Sequence, residues 1–271
     1  MTKQHIIITI TGLFFLIGGC LLFFRFFDPL NSKHFSGTPT VFVHGYKGTY
    51  NSFAKMLKRF EEDYEWGEKV LIYRVSKKGK IHVTQSGPMD ANPAYIQVVF
   101  EDNRANFEDT AKWLSHVLAH MKRNYEVNKV NLVGHSMGGV VALKYLEDYQ
   151  DDVKYPQNNK LITLGSPFDG IYSKEYFRLH YDAAATDLIP DSAALNMLRS
   201  NKQAFPGHIK VLSIGSTGDL IAVPESVKTI QDIVLKEKLE EVIIDNEKLG
   251  HSALHENKQI DELIHDFLYE E

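Results

Sequence analysis

The chain is nearly devoid of cysteine. Its 271 residues include one, Cys20, which lies inside an apolar N-terminal run. The remainder can therefore build neither a disulfide framework nor a thiolate metal site. A surplus of basic residues is also missing. Thirty Lys and Arg face 35 Asp and Glu, for a net charge of −5. No basic stripe is interleaved with aromatics, which argues against a nucleic-acid partner. The one short basic cluster, Lys77-Lys78-Gly79-Lys80, reads as a solvated hairpin turn. No internal repeat and no biased stretch that would suggest disorder is present. What remains is an ordinary apolar share, 44% of residues, enough for one sizeable core.

The N-terminus is the one long hydrophobic run. Ile6 to Phe24 carries no charge. As a helix its 19 residues would span roughly 28 Å, close to the thickness of a bilayer core. A membrane anchor over residues 1–27 is the first reading. A lipoprotein signal is the second, because Leu16-Ile17-Gly18-Gly19-Cys20 is similar to a lipobox. A cleaved secretory signal is the third. The apolar continuation from Leu21 to Phe27 favours the anchor, since a lipidated cysteine is more often followed by a polar tether. Charge does not orient the segment: Lys3 and the amino terminus balance Arg25 and Lys33. Residues 28–37, with Pro29, Asn31, Ser32 and Gly37, read as a tether to a domain at 38–271.

Within that domain, short apolar runs alternate with helical patterns. Strands are expected at Thr40–Val43, Lys69–Val75, Lys80–Gln85, Tyr95–Phe100, Val130–Val133, Lys160–Gly165, Ile209–Ile214 and Glu241–Ile244. Helices are expected at Asn51–Glu62, Phe107–Glu126 and Asn257–Tyr269, and after Gly139. The alternation implies an α/β fold with a mostly parallel central sheet covered on both faces. More than 40 residues separate the strand ending at Gly165 from the one starting at Ile209. A connection of that length is usually functional. Residues of about 168–206 are therefore expected to form a cap over a cleft at the carboxyl ends of the strands. Phe168, Ile171, Tyr172, Phe177, Leu188 and Leu195 would either line an acyl pocket there or pack the cap onto the core.

The sequence centres on Gly134-His135-Ser136-Met137-Gly138. A buried strand pattern precedes this Gly-x-Ser-x-Gly motif and a helical pattern follows. That context makes Ser136 a candidate nucleophile on a strained turn, presented at a helix N-terminus. A serine hydroxyl needs a base and an acid to orient that base. Asp219, after the strand ending near Gly215, is the first candidate acid; Asp169 is the alternative. His251, between the last strand and the closing helix, is the first candidate base; His255 is the alternative. His251 and His255 have the spacing of two helical metal ligands, but position 252 is serine rather than glutamate and no third ligand is evident. No metal and no cofactor are expected. The backbone N–H groups of Met137 and Tyr46 are candidate oxyanion donors, because Tyr46 follows the first core strand in His44-Gly45-Tyr46.

These pieces resemble the α/β-hydrolase superfamily, and among its members the lipase-like cell-surface hydrolases of unknown substrate found in Gram-positive bacteria. The resemblance is carried by His44-Gly45-Tyr46-Lys47-Gly48-Thr49, the Ser136 motif, Ser166-Pro167-Phe168-Asp169-Gly170, Gly218-Asp219 with Val223-Pro224, and His251-Ser252-Ala253-Leu254-His255-Glu256-Asn257. It implies a triad of Ser136, Asp219 and His251, and an exported or anchored, outward-facing domain. Asp187 to Leu198 is similar to a cap segment of lipases. Asp169 stands where asparagine is expected in such relatives, which keeps it open as an acid or a structural side chain.

The function this implies is a membrane-tethered or exported serine hydrolase acting on small ester or lipid-like substrates. Thioesterase, amidase and acyltransferase chemistry use the same triad. A non-catalytic binding protein on a hydrolase fold is the alternative of a different class. The sequence leaves oligomeric state open.

Overall fold

The computed structural model describes residues 34–269. The expected anchor or signal at 1–27, most of the tether and Cys20 lie outside the described residues. Among the described residues no helix is long and apolar enough to cross a membrane.

Eight strands form one sheet: β1 Thr40–Val43, β2 Glu68–Val75, β3 Ile81–Gln85, β4 Ala94–Phe100, β5 Lys129–His135, β6 Gln157–Leu164, β7 Lys210–Ser216 and β8 Leu239–Ile244. The spatial order is β3-β2-β4-β1-β5-β6-β7-β8. Every pair is parallel except β2–β3, whose hairpin turns at Lys77-Lys78-Gly79-Lys80 as the sequence suggests. β1 lies mid-sheet between β4 and β5. All four of its residues are buried, as expected of a parallel strand covered on both faces.

Side-chain alternation along the strands sorts the core into two layers. Val41, Val43, Ile96, Leu132 and Leu161 point to one face. There they meet Leu114, Val117 and Leu118 of helix α2 (Phe107–Tyr125) and Val140 and Val141 of helix α3 (Met137–Tyr149). Phe42, Tyr95, Val133, Ile162 and Leu212 point to the other. They meet Phe53, Met56 and Leu57 of helix α1 (Asn51–Lys58), and Ile260, Ile264 and Leu268 of the closing helix, Lys258–Tyr269.

Helix α2 starts where Asn106 accepts a hydrogen bond from the Asp109 N–H at 2.7 Å. It stops at Glu126, which takes a left-handed conformation with φ 54°. Helix α1 ends earlier than the expected Glu62, because Arg59–Asp63 relaxes into a wider π turn. That turn aims Arg59 at Asp261 of the closing helix. The guanidinium makes two hydrogen bonds to the carboxylate, 2.6 and 2.9 Å, and a third to the His255 carbonyl at 3.2 Å.

The long β6–β7 connection holds three short helices, α4 Lys174–Leu179, α5 Ala183–Asp187 and α6 Ala193–Ser200. Ser173, Asp182 and Ser192 cap them through side-chain oxygens. Phe168, Ile171, Leu188 and Leu195 are buried in the core on the α2–α3 side of the sheet. They fasten the insertion to the domain, and Tyr172 lies exposed. Helix α7 (Pro224–Lys228) follows β7, and the closing helix is α8.

Candidate active site

Ser136 follows β5 directly and caps α3. Its backbone lies at φ 56° and ψ −130°, a conformation that costs on the order of 1–3 kcal/mol for a residue with a side chain. Two glycines permit it. A Cβ at Gly134 would collide with the backbone of Gly139, and one at Gly138 with the carbonyl of Val43. The turn is that tight because helix α3 begins one residue after the serine.

His251 stands in a single 3-10 segment, His251–Glu256, ahead of α8, where the sequence suggested a loop. Its Nε2 is 2.8 Å from Ser136 Oγ, and its Nδ1 is 2.7 Å from Asp219 Oδ2. Asp219 is fully buried. Its second oxygen accepts the N–H groups of Ile221 at 2.8 Å and Ala222 at 2.9 Å. Three hydrogen bonds thus hold the two carboxylate oxygens in place. The three residues come from the ends of β5 and β7 and the turn after β8, all on the carboxyl edge of the sheet.

The alternatives lie elsewhere. Asp169 accepts a hydrogen bond from Tyr172 at 2.7 Å and pairs with Arg199 at 2.6 Å. It ties the insertion together, and among the described residues it makes no hydrogen bond or ion pair with a histidine. Burial first, then the Asp169 carboxylate, pushes the Tyr172 hydroxyl up to about 12. The His255 ring packs edge-on against His135, with centroids 4.6 Å apart, and against Phe53 at 6.1 Å.

The β1 loop reaches Ser136 through Gly45. A Cβ there would sit 2.7 Å from both the His135 carbonyl oxygen and Ser136 Cβ, and 3.2 Å from the Met137 nitrogen. The peptide leading to Tyr46 therefore lies beside the serine. Among the described residues the N–H groups of Tyr46 and Met137 meet no acceptor.

Two histidines brace this geometry, and neither was singled out from sequence. His44 donates from Nδ1 to the Gly45 carbonyl at 2.9 Å and accepts the Phe100 N–H on Nε2 at 3.0 Å. Both ring nitrogens are used, so the neutral tautomer is fixed. Full burial lowers its pKa to about 4. His135 is 3.1 Å from the His251 carbonyl through Nε2. An oxygen acceptor requires that nitrogen to carry the proton. Burial first, then the neighbouring His251 and His255, holds His135 far below the ordinary histidine range. The only sequence signal for either was adjacency to Gly45 and Ser136; their partners are set by folding.

Tyr46 extends from the same loop into the insertion. Its hydroxyl donates to Asp182 at 2.6 Å, and Arg104 donates to the same oxygen at 3.0 Å. Burial opposes ionisation of Asp182. The Tyr46 hydroxyl, the Ala185 N–H and Arg104 outweigh it and hold the carboxyl below its usual value. Among the described residues no group of three or more His, Cys, Asp or Glu is arranged to hold a metal.

Residues 28–271 match the model of the family described as alpha/beta hydrolase of unknown function, DUF915. The chain belongs to this α/β-hydrolase family. A Listeria innocua protein of known structure shares the fold with a TM-score of 0.72 at 25% identity, over 87% of this chain and 95% of that one. A Lactobacillus plantarum protein described as a candidate cell surface hydrolase has a TM-score of 0.68 at 22% identity, over 85% of this chain and 91% of that one. A 1-acylglycerol-3-phosphate O-acyltransferase of Saccharomyces cerevisiae is 24% identical over 145 residues. That match takes in 48% of this chain but 35% of the yeast enzyme, about a third of its length. As an α/β-hydrolase, the chain carries its Ser136 turn, Asp219 and His251 on the sheet edge where this fold places reacting groups.

Proposed function

We propose that this α/β-hydrolase is a serine hydrolase that cleaves carboxylic esters through an acyl-enzyme. The observation that carries the reading is the unbroken chain of short contacts from Ser136 Oγ through His251 to Asp219. In the first half-reaction His251 Nε2 takes the Ser136 proton as Oγ attacks the ester carbonyl carbon. The new O–C bond forms as the carbonyl π bond becomes an oxyanion. The Met137 and Tyr46 N–H groups receive that charge. One such donor is worth ~3 kcal/mol of transition-state stabilisation. The histidine then protonates the departing alcohol. In the second half-reaction it deprotonates water, which attacks the acyl carbon; the acyl–Oγ bond then breaks, the histidine returns the proton to Ser136 Oγ, and the acid is freed. Asp219 holds the imidazole in the tautomer with the proton on Nδ1, so that Nε2 is free to act as base.

The apolar run at 6–24, together with the cell-surface description of the Lactobacillus relative, supports anchoring or export with the domain outside the membrane. The partial match to a yeast O-acyltransferase favours a second reading, in which an alcohol acceptor replaces water in the second half-reaction.

The test is hydrolysis of a short-to-long series of chromogenic acyl esters by the full chain, with Ser136→Ala alongside. The expected result is activity abolished in Ser136→Ala, together with fluorophosphonate labelling of the parent alone. Hydrolysis that survives Ser136→Ala overturns the mechanism. Ligand binding without turnover or labelling moves the assignment to a non-catalytic binding protein.

A further inference from the structure

Gly45 touches the serine turn: a Cβ there would sit 2.7 Å from Ser136 Cβ and 3.2 Å from the Met137 nitrogen. The Tyr46 nitrogen is two bonds from the Gly45 Cα, no more than about 2.9 Å away. One end of the peptide between them is held from within the β1 loop. Its carbonyl oxygen, that of Gly45, accepts from His44 Nδ1 and from the Gly48 N–H, both at 2.9 Å. In a trans peptide the N–H points opposite to the C=O. The Tyr46 N–H therefore aims away from those two donors, and among the described residues it meets no acceptor.

The other end of that peptide is anchored outside the loop, through the Tyr46 side chain. Its hydroxyl donates to Asp182 Oδ2 at 2.6 Å, the length of a hydrogen bond to an ionised acceptor. Burial first, then Asp182, raises the Tyr46 pKa, so the hydroxyl stays a donor. Asp182 belongs to the insertion. Its other oxygen accepts the Ala185 N–H at 3.1 Å and caps helix α5.

The loop between β4 and α2 closes the junction. Arg104 donates to the same Asp182 oxygen at 3.0 Å, and its carbonyl accepts the Ala184 N–H at 3.1 Å. The Asn103 carbonyl accepts the Lys47 N–H at 2.8 Å, and the Asn103 side chain donates to the Gly48 carbonyl at 2.9 Å. Lys47 Nζ, 2.8 Å from His180 Nδ1, is a second tie between the β1 loop and the insertion. Asp182 is thus both the cap of an insertion helix and the anchor of the residue whose N–H stands beside the serine turn. A shift of α5 moves the acceptor of the Tyr46 hydroxyl.

We propose that Asp182 is a positioning residue for ester hydrolysis: through the Tyr46 hydroxyl it keeps the 45–46 peptide N–H directed at the oxyanion, so that full turnover requires the insertion to be seated. This regulation of the site rests on the serine-hydrolase reading. A donor held in place matters most in the transition state, where full charge develops on the oxygen. Its loss is read in kcat rather than in KM.

The test uses the full chain and three variants. Tyr46→Phe removes only the hydroxyl, Asp182→Asn keeps an oxygen to cap α5, and the third combines them. On a chromogenic butyrate ester each single variant is expected to lower kcat about tenfold and to leave KM within about twofold. The double variant should lose no more than either single one, since both remove one contact. An alkyl trifluoromethyl ketone, whose adduct with Ser136 carries the oxyanion, should weaken by the same factor as kcat. Unchanged kcat in Tyr46→Phe overturns the proposal. So does a loss confined to KM or to Tm, which is what a purely structural tie would give, and so do losses that multiply in the double variant. Hydrolysis that survives Ser136→Ala, or no turnover by the parent, is instead a failure of the hydrolase reading. Hydrogen exchange separates the two failures. Faster exchange of residues 44–48 and 182–188 together in Tyr46→Phe leaves the tie between loop and insertion standing without that reading, and unchanged exchange removes the tie as well.

Discussion

The Nε2–H of His135 is hydrogen-bonded to the main-chain carbonyl of His251, 3.1 Å away. The residue before the proposed nucleophile thus holds the backbone of the proposed base. The two rings also lie close, with centroids 4.8 Å apart. His135 is neutral by burial, so it braces His251 without adding a second cation beside it.

His135 is accordingly a positioning residue. His135→Phe removes the donor and is expected to lower kcat for ester hydrolysis by about a hundredfold, the order of loss from a misplaced catalytic group. KM should change little. His135→Gln, which presents an N–H at similar reach, should recover much of kcat. Because His135 does not ionise near neutrality, the pH at which kcat/KM rises should be the same in His135→Gln as in the parent. Equal losses in kcat for Phe and Gln would show that the ring only fills space.

The two aspartates separate cleanly by their partners. Asp219→Asn would leave His251 free to adopt the wrong tautomer, and kcat is expected to fall by about four orders of magnitude. Asp169→Asn should retain turnover. It weakens the Arg199 pair, which is partly exposed, and should cost about 1 kcal/mol of stability. Chemical denaturation and steady-state kinetics on both variants decide this. A kinetic collapse in Asp169→Asn alone would return the role of acid to Asp169.

Glu147 on α3 is buried, and among the described residues neither of its carboxylate oxygens meets a hydrogen-bond partner. Burial first, then Asp148, pushes its pKa from 4.5 up to about 8. The nearby Lys144 offsets this only in part, since it is paired with Asp148 and Glu108. A carboxyl raised in the folded state favours folding most fully below pH 4.5. That contribution is lost as the pH rises towards about 8, where the folded state gives up its proton. Glu147→Gln should therefore raise Tm by on the order of 10 °C more at pH 8.5 than at pH 4.5. Thermal unfolding at the two pH values checks this, and an equal shift at both would mean that ionisation of Glu147 is not involved.

Much of the domain was legible because it is written locally. Apolar runs of four to eight residues gave β1, β4 and β5 to within a residue or two, since strands buried on both faces need little else. Helix α2 was legible from its apolar stripe. Helix α1 came out shorter than expected because Arg59 leaves the α-helical path to reach Asp261, 202 residues away in sequence. Strand β6 begins at Gln157, before the expected Lys160, because β5 offers it backbone partners from Lys129 onward.

By itself the sequence determined the alternation of elements, the Gly-x-Ser-x-Gly turn and the order serine, acid, histidine. Those depend on side-chain size, periodicity and backbone freedom within a few residues. Only the tertiary structure decided which aspartate faces a histidine, that His135 holds His251, and that Lys47 meets His180 across 133 residues. Hydrogen bonds and ion pairs act over about 3 Å. Their partners are chosen by which chain ends the parallel sheet gathers along its carboxyl edge.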